Sequence, residues 1–294
     1  IAVGRKAMMD NTSGAYNTIL GANAMENTTT ALMNVAIGQE VMGGIPANVA
    51  IQDVVAIGTL AFKGNSGTTT DANGTIAIGH EALNDLLTGQ ANTAIGFKAL
   101  DVETNGDYNT AVGYGVFEKQ TGTSGTVANT GVGYRAGYYN TTGVKNTYIG
   151  YHSGFGVSGN ANSSNSALGY RSLVGITTGT VNTAMGESAG ASATTASGSV
   201  FLGADAGGTV TTGNQNIAIG YDAMKGGTTT GDNNIAIGVS AGDALTSGYS
   251  NQLIGEDAGG ALTTGTFNVA LGRNALATAT NTSNVVSIGI GAGD

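Results

Sequence analysis

One short motif recurs from end to end of this chain, and it limits the fold more than any other feature. The motif reads Asn-Thr-Ala-Ile-Gly, then two variable residues and a small one. With its Gly as position zero, the anchors are Gly4, Gly21, Gly38, Gly58, Gly79, Gly96, Gly113, Gly133, Gly150, Gly169, Gly186, Gly203, Gly220, Gly238, Gly255, Gly272 and Gly289. Of the 16 intervals, 11 are 17 residues and the others are 20, 21, 20, 19 and 18. A unit this short has no room for the paired helices of repeats of about 33 residues or more.

The columns of the repeat carry the physics. Position −1 is aliphatic or Met in all 17 copies, from Val3 to Ile288, and position −3 is mostly Val, Ile or Thr. Strand side chains alternate, so these two columns share a face, and β-branched residues suit a pleated surface. Position +3 is small (Ala7, Ala24, Ala82), and +4 is either large and apolar (Met8, Leu83, Met224) or Gly. A Thr-Gly loop follows, as at Thr88-Gly89 and Thr264-Gly265. The unit reads as strand, tight turn, second short strand and loop: one coil of an all-β parallel β-solenoid. About 17 coils of 17–21 residues, stacked at the ordinary strand spacing, would make a rod roughly 80 Å long. Residues 1–294 read as one repeat domain, and Ile1 falls inside a repeat, as in a piece of a longer fibre.

Like residues then stack on like residues. The −1 column is expected to form the inner core. The Asn column at −4, 12 of 16 copies, is expected to form a ladder of side-chain amides. Position −2 lies on the opposite face and is Ala in 11 of 17 copies. Ala36, Ala56, Ala77, Ala94, Ala111, Ala167, Ala184, Ala218, Ala236 and Ala270 form a stripe of small apolar residues. Such a stripe is expected to be an interchain face, buried against another copy of the chain; the alternative is that it faces the second strand within the coil.

Composition closes other routes. Gly is 51 of 294 residues, without the three-residue period and Pro content of collagen. There is no Cys for a disulfide scaffold. No apolar run approaches the roughly 18 residues of a membrane span. The net charge of −9 and the scatter of 10 Lys and Arg lack the basic footprint of a nucleic-acid binder.

The motif resembles the head repeats of trimeric autotransporter adhesins and, more closely, the Asn-Thr-Ala-Ile-Gly-Tyr-x-Ala repeats of bacteriophage tail fibres. Asn92 to Leu100, Asn109 to Tyr114 and Asn216 to Met224 carry it best, and the similarity covers the whole chain. It implies a left-handed parallel β-roll, three chains side by side, and adhesion. Adhesin head coils are shorter, near 14 residues; the extra residues here lie mostly in the Thr-Gly loop.

The expected function is a non-enzymatic structural or adhesive fibre segment, the shaft or head of a phage tail fibre. It would be extracellular, on a virion or cell surface. Its partners would be copies of itself, with a host-surface glycan or protein as a further partner; no cofactor or metal is expected. The alternative is a bacterial adhesin or self-assembling surface filament. An ice-binding solenoid is disfavoured, because Val35, Val55 and Ile76 interrupt the −3 Thr column. The Gly-x-Ser-x-Gly matches at Ser188 and Ser240 are copies of the repeat, without the helix that a nucleophile elbow needs. His80 and His152 stand four coils apart. Two candidate surfaces remain. One is an aromatic ladder at +1: Phe97, Tyr114, Tyr134, Tyr151 and Tyr170. The other is the set of over-length loops, 43–53, 64–74, 121–128 and 156–164, since loops on rigid scaffolds commonly bind.

Overall fold

The computed structural model describes residues 1–64, 69–122 and 125–294, and two of the over-length loops (64–74 and 121–128) include residues outside that set. Among the described residues the chain is all-β, with no helix, and forms a parallel β-solenoid of about 17 turns. It divides into two compact units, Ile1–Asn146 and Thr147–Asp294.

In the first unit the strands run from Ala2–Val3 and Thr18–Leu20 through Thr93–Ile95 and Thr110–Val112 to Thr130–Val132. Each pairs in parallel with its counterpart in the next coil, column on column: Thr93 with Thr110, Ala94 with Ala111, Ile95 with Val112. The second unit repeats this from Thr147–Ile149 to Val286–Ile288, for example Ser166 with Thr183 and Ala167 with Ala184.

The faces are the reverse of the expectation for −1 and −2. In each of these three-residue strands the middle residue is buried and the flanking two are more exposed. Ala36, Ala56, Ala77, Ala94, Ala111, Ala167, Ala184, Ala218, Ala236 and Ala270 are all buried inside their own coils. They are therefore not an interchain face. The −1 column points outward instead: Leu168, Met185 and Leu202 are 42%, 46% and 41% exposed. Both columns are apolar, so alternation separates two faces without saying which is inside. The interior is narrow, and Ala fits where a larger aliphatic column would overfill it.

The interior is completed by the small +3 residues (Ala24, Ala82, Ala99), the large +4 residues (Met25, Leu83, Leu100) and loop residues such as Leu86, Ile176 and Leu262, all buried. The expected second strand at +3 and +4 is a turn. Residues +2 and +4 both adopt the left-handed region, as at Lys98 (φ 54°) and Leu100 (φ 53°). Their amides therefore point to opposite neighbours. Lys98 N–H donates to the His80 carbonyl of the preceding coil (3.0 Å), and Leu100 N–H to the Val116 carbonyl of the following one (3.0 Å). These bonds offset the strain of non-Gly residues at positive φ, about 1–2 kcal/mol each. A second parallel pairing joins Gly106–Asp107 to Gly125–Thr126.

The anchor Gly is required twice over. At Gly220 φ is +130°, and a Cβ would stand 2.5 Å from the Gly238 carbonyl oxygen. Gly alone meets both conditions.

The Asn ladder forms as expected. Asn92 Oδ1 accepts the Asn109 backbone N–H (2.9 Å) and Asn109 Nδ2 (3.0 Å). Asn92 Nδ2 donates to the Gly106 carbonyl of its own loop (2.8 Å), so the amide ties strand start to loop end. In the second unit Ser199 substitutes in the column: its N–H donates to Asn182 Oδ1 (3.0 Å), and its Oγ accepts from Asn216 N–H (3.2 Å). Buried polar groups are thereby paired instead of stranded, which would cost about 1–3 kcal/mol apiece.

Candidate functional site: the aromatic and apolar surfaces

The turn after each anchor Gly places residue +1 outside the coil, and consecutive aromatic residues there stack. In the first unit His80, Phe97, Tyr114 and Tyr134 form a continuous column. Ring centroids are 5.3, 4.9 and 5.3 Å apart, and the planes lie within 19° of parallel. In the second unit Tyr151 and Tyr170 stack at 5.2 Å. The five residues of the expected ladder are thus present as stacked rings within each unit. Stacking spends the faces of the inner rings on one another and turns their edges outward. A sugar therefore meets ring edges and phenolic oxygens here, except at the end of a stack.

A charged rail from columns +2 and +5 runs beside the rings. Lys98 Nζ lies 2.8 Å from Glu81 and 3.1 Å from Asp101. The hydrogen bond from Lys98 holds the Glu81 carboxyl below the usual range and, reciprocally, raises the Lys98 ammonium. Asp101 is raised instead, because burial outweighs the same cation. In the second unit Lys225 bridges Asp205 and Asp222, both at 2.9 Å.

Arg135, at +2 beside Tyr134, is more distinctive, although its column alone does not single it out. Its guanidinium lies 5.9, 5.3 and 4.9 Å from the ring centroids of Tyr114, Tyr134 and Tyr138. Tyr138 Oη donates to Glu118 Oε1 (3.2 Å), which is also 2.7 Å from Lys119 Nζ. A basic residue adjoining the aromatic column was the available signal.

The outward −1 column is the second surface. Ile95 and Val132 in the first unit, and Ile149, Leu168, Met185, Leu202 and Leu271 in the second, expose more than a third of their area. The −3 residues on the same face mix Val and Ile with polar side chains such as Thr93, Thr110, Ser166 and Gln252, so the apolar stripe of each unit is the −1 column itself.

The residues considered for catalysis sit in turns. Ser188 and Ser240 are left-handed +2 residues (φ 54° and 53°). His80 caps the ring stack, and His152 packs 4.1 Å from Tyr151. Among the described residues no group of three or more His, Cys, Asp or Glu could hold a metal ion, and no helix is long and apolar enough to cross a membrane. The clefts are small and polar: one of about 260 Å³ is lined by Asn23, Glu26, Glu40 and Lys63, among others. In comparisons with known proteins, no family model and no curated relative matches the chain.

Proposed function

We propose that this chain is a non-enzymatic structural and adhesive segment of an extracellular fibre. The fibre would be the shaft or head of a phage tail fibre, built from copies of the chain side by side. The reading rests on one observation, the outward apolar column that recurs coil after coil. An apolar stripe of this regularity calls for cover. The cover that repeats at the same spacing is a second copy, which can set its own −1 and −3 residues against the first in register. Three copies, the number implied by the resemblance to adhesin heads, would close such faces around one axis. Stacked coils with interlocked backbones supply stiffness, and several copies supply avidity to any contact made along the outside. A bacterial adhesin would share this architecture.

The test is the native mass by light scattering after size exclusion, on the full chain and on Leu168→Asp with Leu202→Asp. The expected results are three times 28.9 kDa for the wild type and a folded monomer for the variant. A wild-type monomer would sink the proposal. A large, open-ended polymer would favour a self-assembling surface filament over the closed trimer.

A further inference from the structure

Four cations lie over aromatic rings among the described residues: Lys98 on Phe97, Lys119 on Tyr138, Lys225 on Tyr221, and Arg135 on three tyrosines. Each lysine also contacts a carboxylate within 3.1 Å. Arg135 forms no ion pair among the described residues, and its Nε is buried there without a hydrogen-bond partner. Its charge is steadied by ring quadrupoles but not neutralised, and its planar fork remains the type of group that pairs bidentately with a carboxylate.

The surroundings fit that role. Gly115 stands in the +2 column one coil before Arg135. Its φ of +59° does not by itself demand Gly, since the same column holds Lys98 at 54°. A Cβ at Gly115 would come 3.1 Å from Glu118 Oε2, so that the carboxylate would have to give by a few tenths of an ångström, and would meet Arg135 Cγ in ordinary contact at 3.4 Å. The missing side chain leaves room for Arg135 to lie along the preceding coil, beside the exposed edges of Tyr114 and Tyr134. The nearby Glu118 carboxylate is already engaged by Lys119 and Tyr138.

We infer that Arg135, with Tyr114, Tyr134 and Tyr138, forms a binding site for a carboxylate-bearing glycan. The guanidinium takes the carboxylate, and the tyrosine edges and hydroxyls meet the sugar. An overall charge of −9 offers polyanions no general attraction, so binding depends on this one local cation. The inference rests on the adhesive part of the function proposed above.

The experiment measures binding of the full chain to immobilised polygalacturonate, neutral dextran and dextran sulfate. The variants are Arg135→Gln, Arg135→Lys and, as a control cation elsewhere, Lys63→Gln. Polygalacturonate is expected to bind and dextran not to. Arg135→Gln should weaken binding at least tenfold, Arg135→Lys should fall between, and Lys63→Gln should match wild type. Light scattering and circular dichroism on the same samples show whether fold and assembly survive. Arg135→Lys keeps the cation over the rings if Arg135→Gln fails to fold. The inference is overturned by a folded Arg135→Gln protein that binds like wild type, by no binding of polygalacturonate to wild type, or by equal binding of dextran sulfate. None of these touches the fibre reading, which falls only if wild type is monomeric.

Discussion

The ring of Phe201 occupies the space that a side chain at Gly207 would fill, because a Cβ there would overlap the ring at Cδ1 and Cε1. Gly190, in the preceding coil, is the same case, 2.6 Å from Cδ2. Leu253 is likewise flanked by Gly242 and Gly259, at 2.9 and 2.7 Å. Conversely, Gly131 stands at −2 where Val116 and Phe117 fill the interior, 2.5 and 2.6 Å from its absent Cβ. Positions −2 and +4 thus share one interior volume, filled from one side or the other.

That sharing predicts a compensating pair. Phe201→Ala alone should cost about 3–5 kcal/mol, from lost burial and the cavity left behind. Gly207→Leu alone should be overpacked. Leu is compatible with the left-handed backbone, since Leu173 holds the same column at φ 49°. The double variant conserves volume and should return to within about 1.5 kcal/mol of wild type. Urea unfolding of the three variants measures this; additive losses in the double would show that the two positions do not share space.

The anchor Gly column gives a prediction with an internal control. At Gly220 a methyl group meets both a positive φ and a backbone oxygen of the next coil, 2.5 Å away. Strain and overpacking together should cost about 2–6 kcal/mol in Gly220→Ala. Gly159→Ala meets nothing within 4 Å, although its φ is +81°. It should lose only the conformational part, about 1–3 kcal/mol. Thermal melts of the pair separate close approach from backbone strain; equal losses would mean that the carbonyl contact matters little.

Much of this was readable from residues alone. The coil period, the Gly column and the buried Asn ladder follow from spacing and from the chemistry of Gly and of a side-chain amide. The direction of the strand faces did not follow, because Ala94 and Ile95 are both apolar and periodicity has no preference between them. A usable signal was present all the same: Tyr148, Phe201 and Leu253 at −2 are each followed by Gly at +4, at Gly154, Gly207 and Gly259. Residues that exchange volume in this way must share the interior. The second strand failed for a related reason. An alternation of large apolar residues and Gly at +4 reads as strand or as left-handed turn, and backbone angles decide. For Arg135 the sequence offered only a basic residue beside the aromatic column, since what sets it apart among the described residues is that, unlike Lys98, Lys119 and Lys225, it contacts no carboxylate.

The buried Glu103 provides a third prediction. Its Oε1 accepts the backbone N–H groups of Thr104, Asn105 and Gly106 at 2.9, 3.1 and 2.8 Å. Its Oε2 accepts from Gln120 Nε2 at 2.6 Å, and Gln120 Oε1 in turn accepts from Asn129 Nδ2 at 2.8 Å. Glu103→Gln keeps the acceptor for the three amides but sets one NH2 group against another. It should cost about 1–3 kcal/mol. Adding Gln120→Glu restores an acceptor opposite the new amide and still accepts from Asn129. Denaturant unfolding should show the double variant more stable than Glu103→Gln; a further loss would break the proposed direction of the chain of bonds.

Val181 tests what the outer columns are for. It is a β-branched residue at φ 60°, a backbone region such side chains rarely occupy, and it is 62% exposed. Its N–H donates to the Ser163 carbonyl of the preceding coil (3.2 Å), as Asn233 N–H does to that of Asn214 (3.0 Å), so the two positions share that compensation and differ in the side chain. Asn tolerates the left-handed region better, and Asn233, at the same place in a later coil, holds it at φ 61°. Val181→Asn should therefore stabilise the isolated chain by about 1 kcal/mol, read from denaturant unfolding of the assembly-breaking Leu168→Asp, Leu202→Asp background. In the wild-type background the same substitution removes an exposed apolar group from the outward face, two residues before the strand Thr183–Met185. If copies pack on that face, it should weaken assembly, measured as a rise in the concentration at which the native mass halves. Stabilisation in both backgrounds, with assembly unchanged, would place Val181 outside any interface between copies.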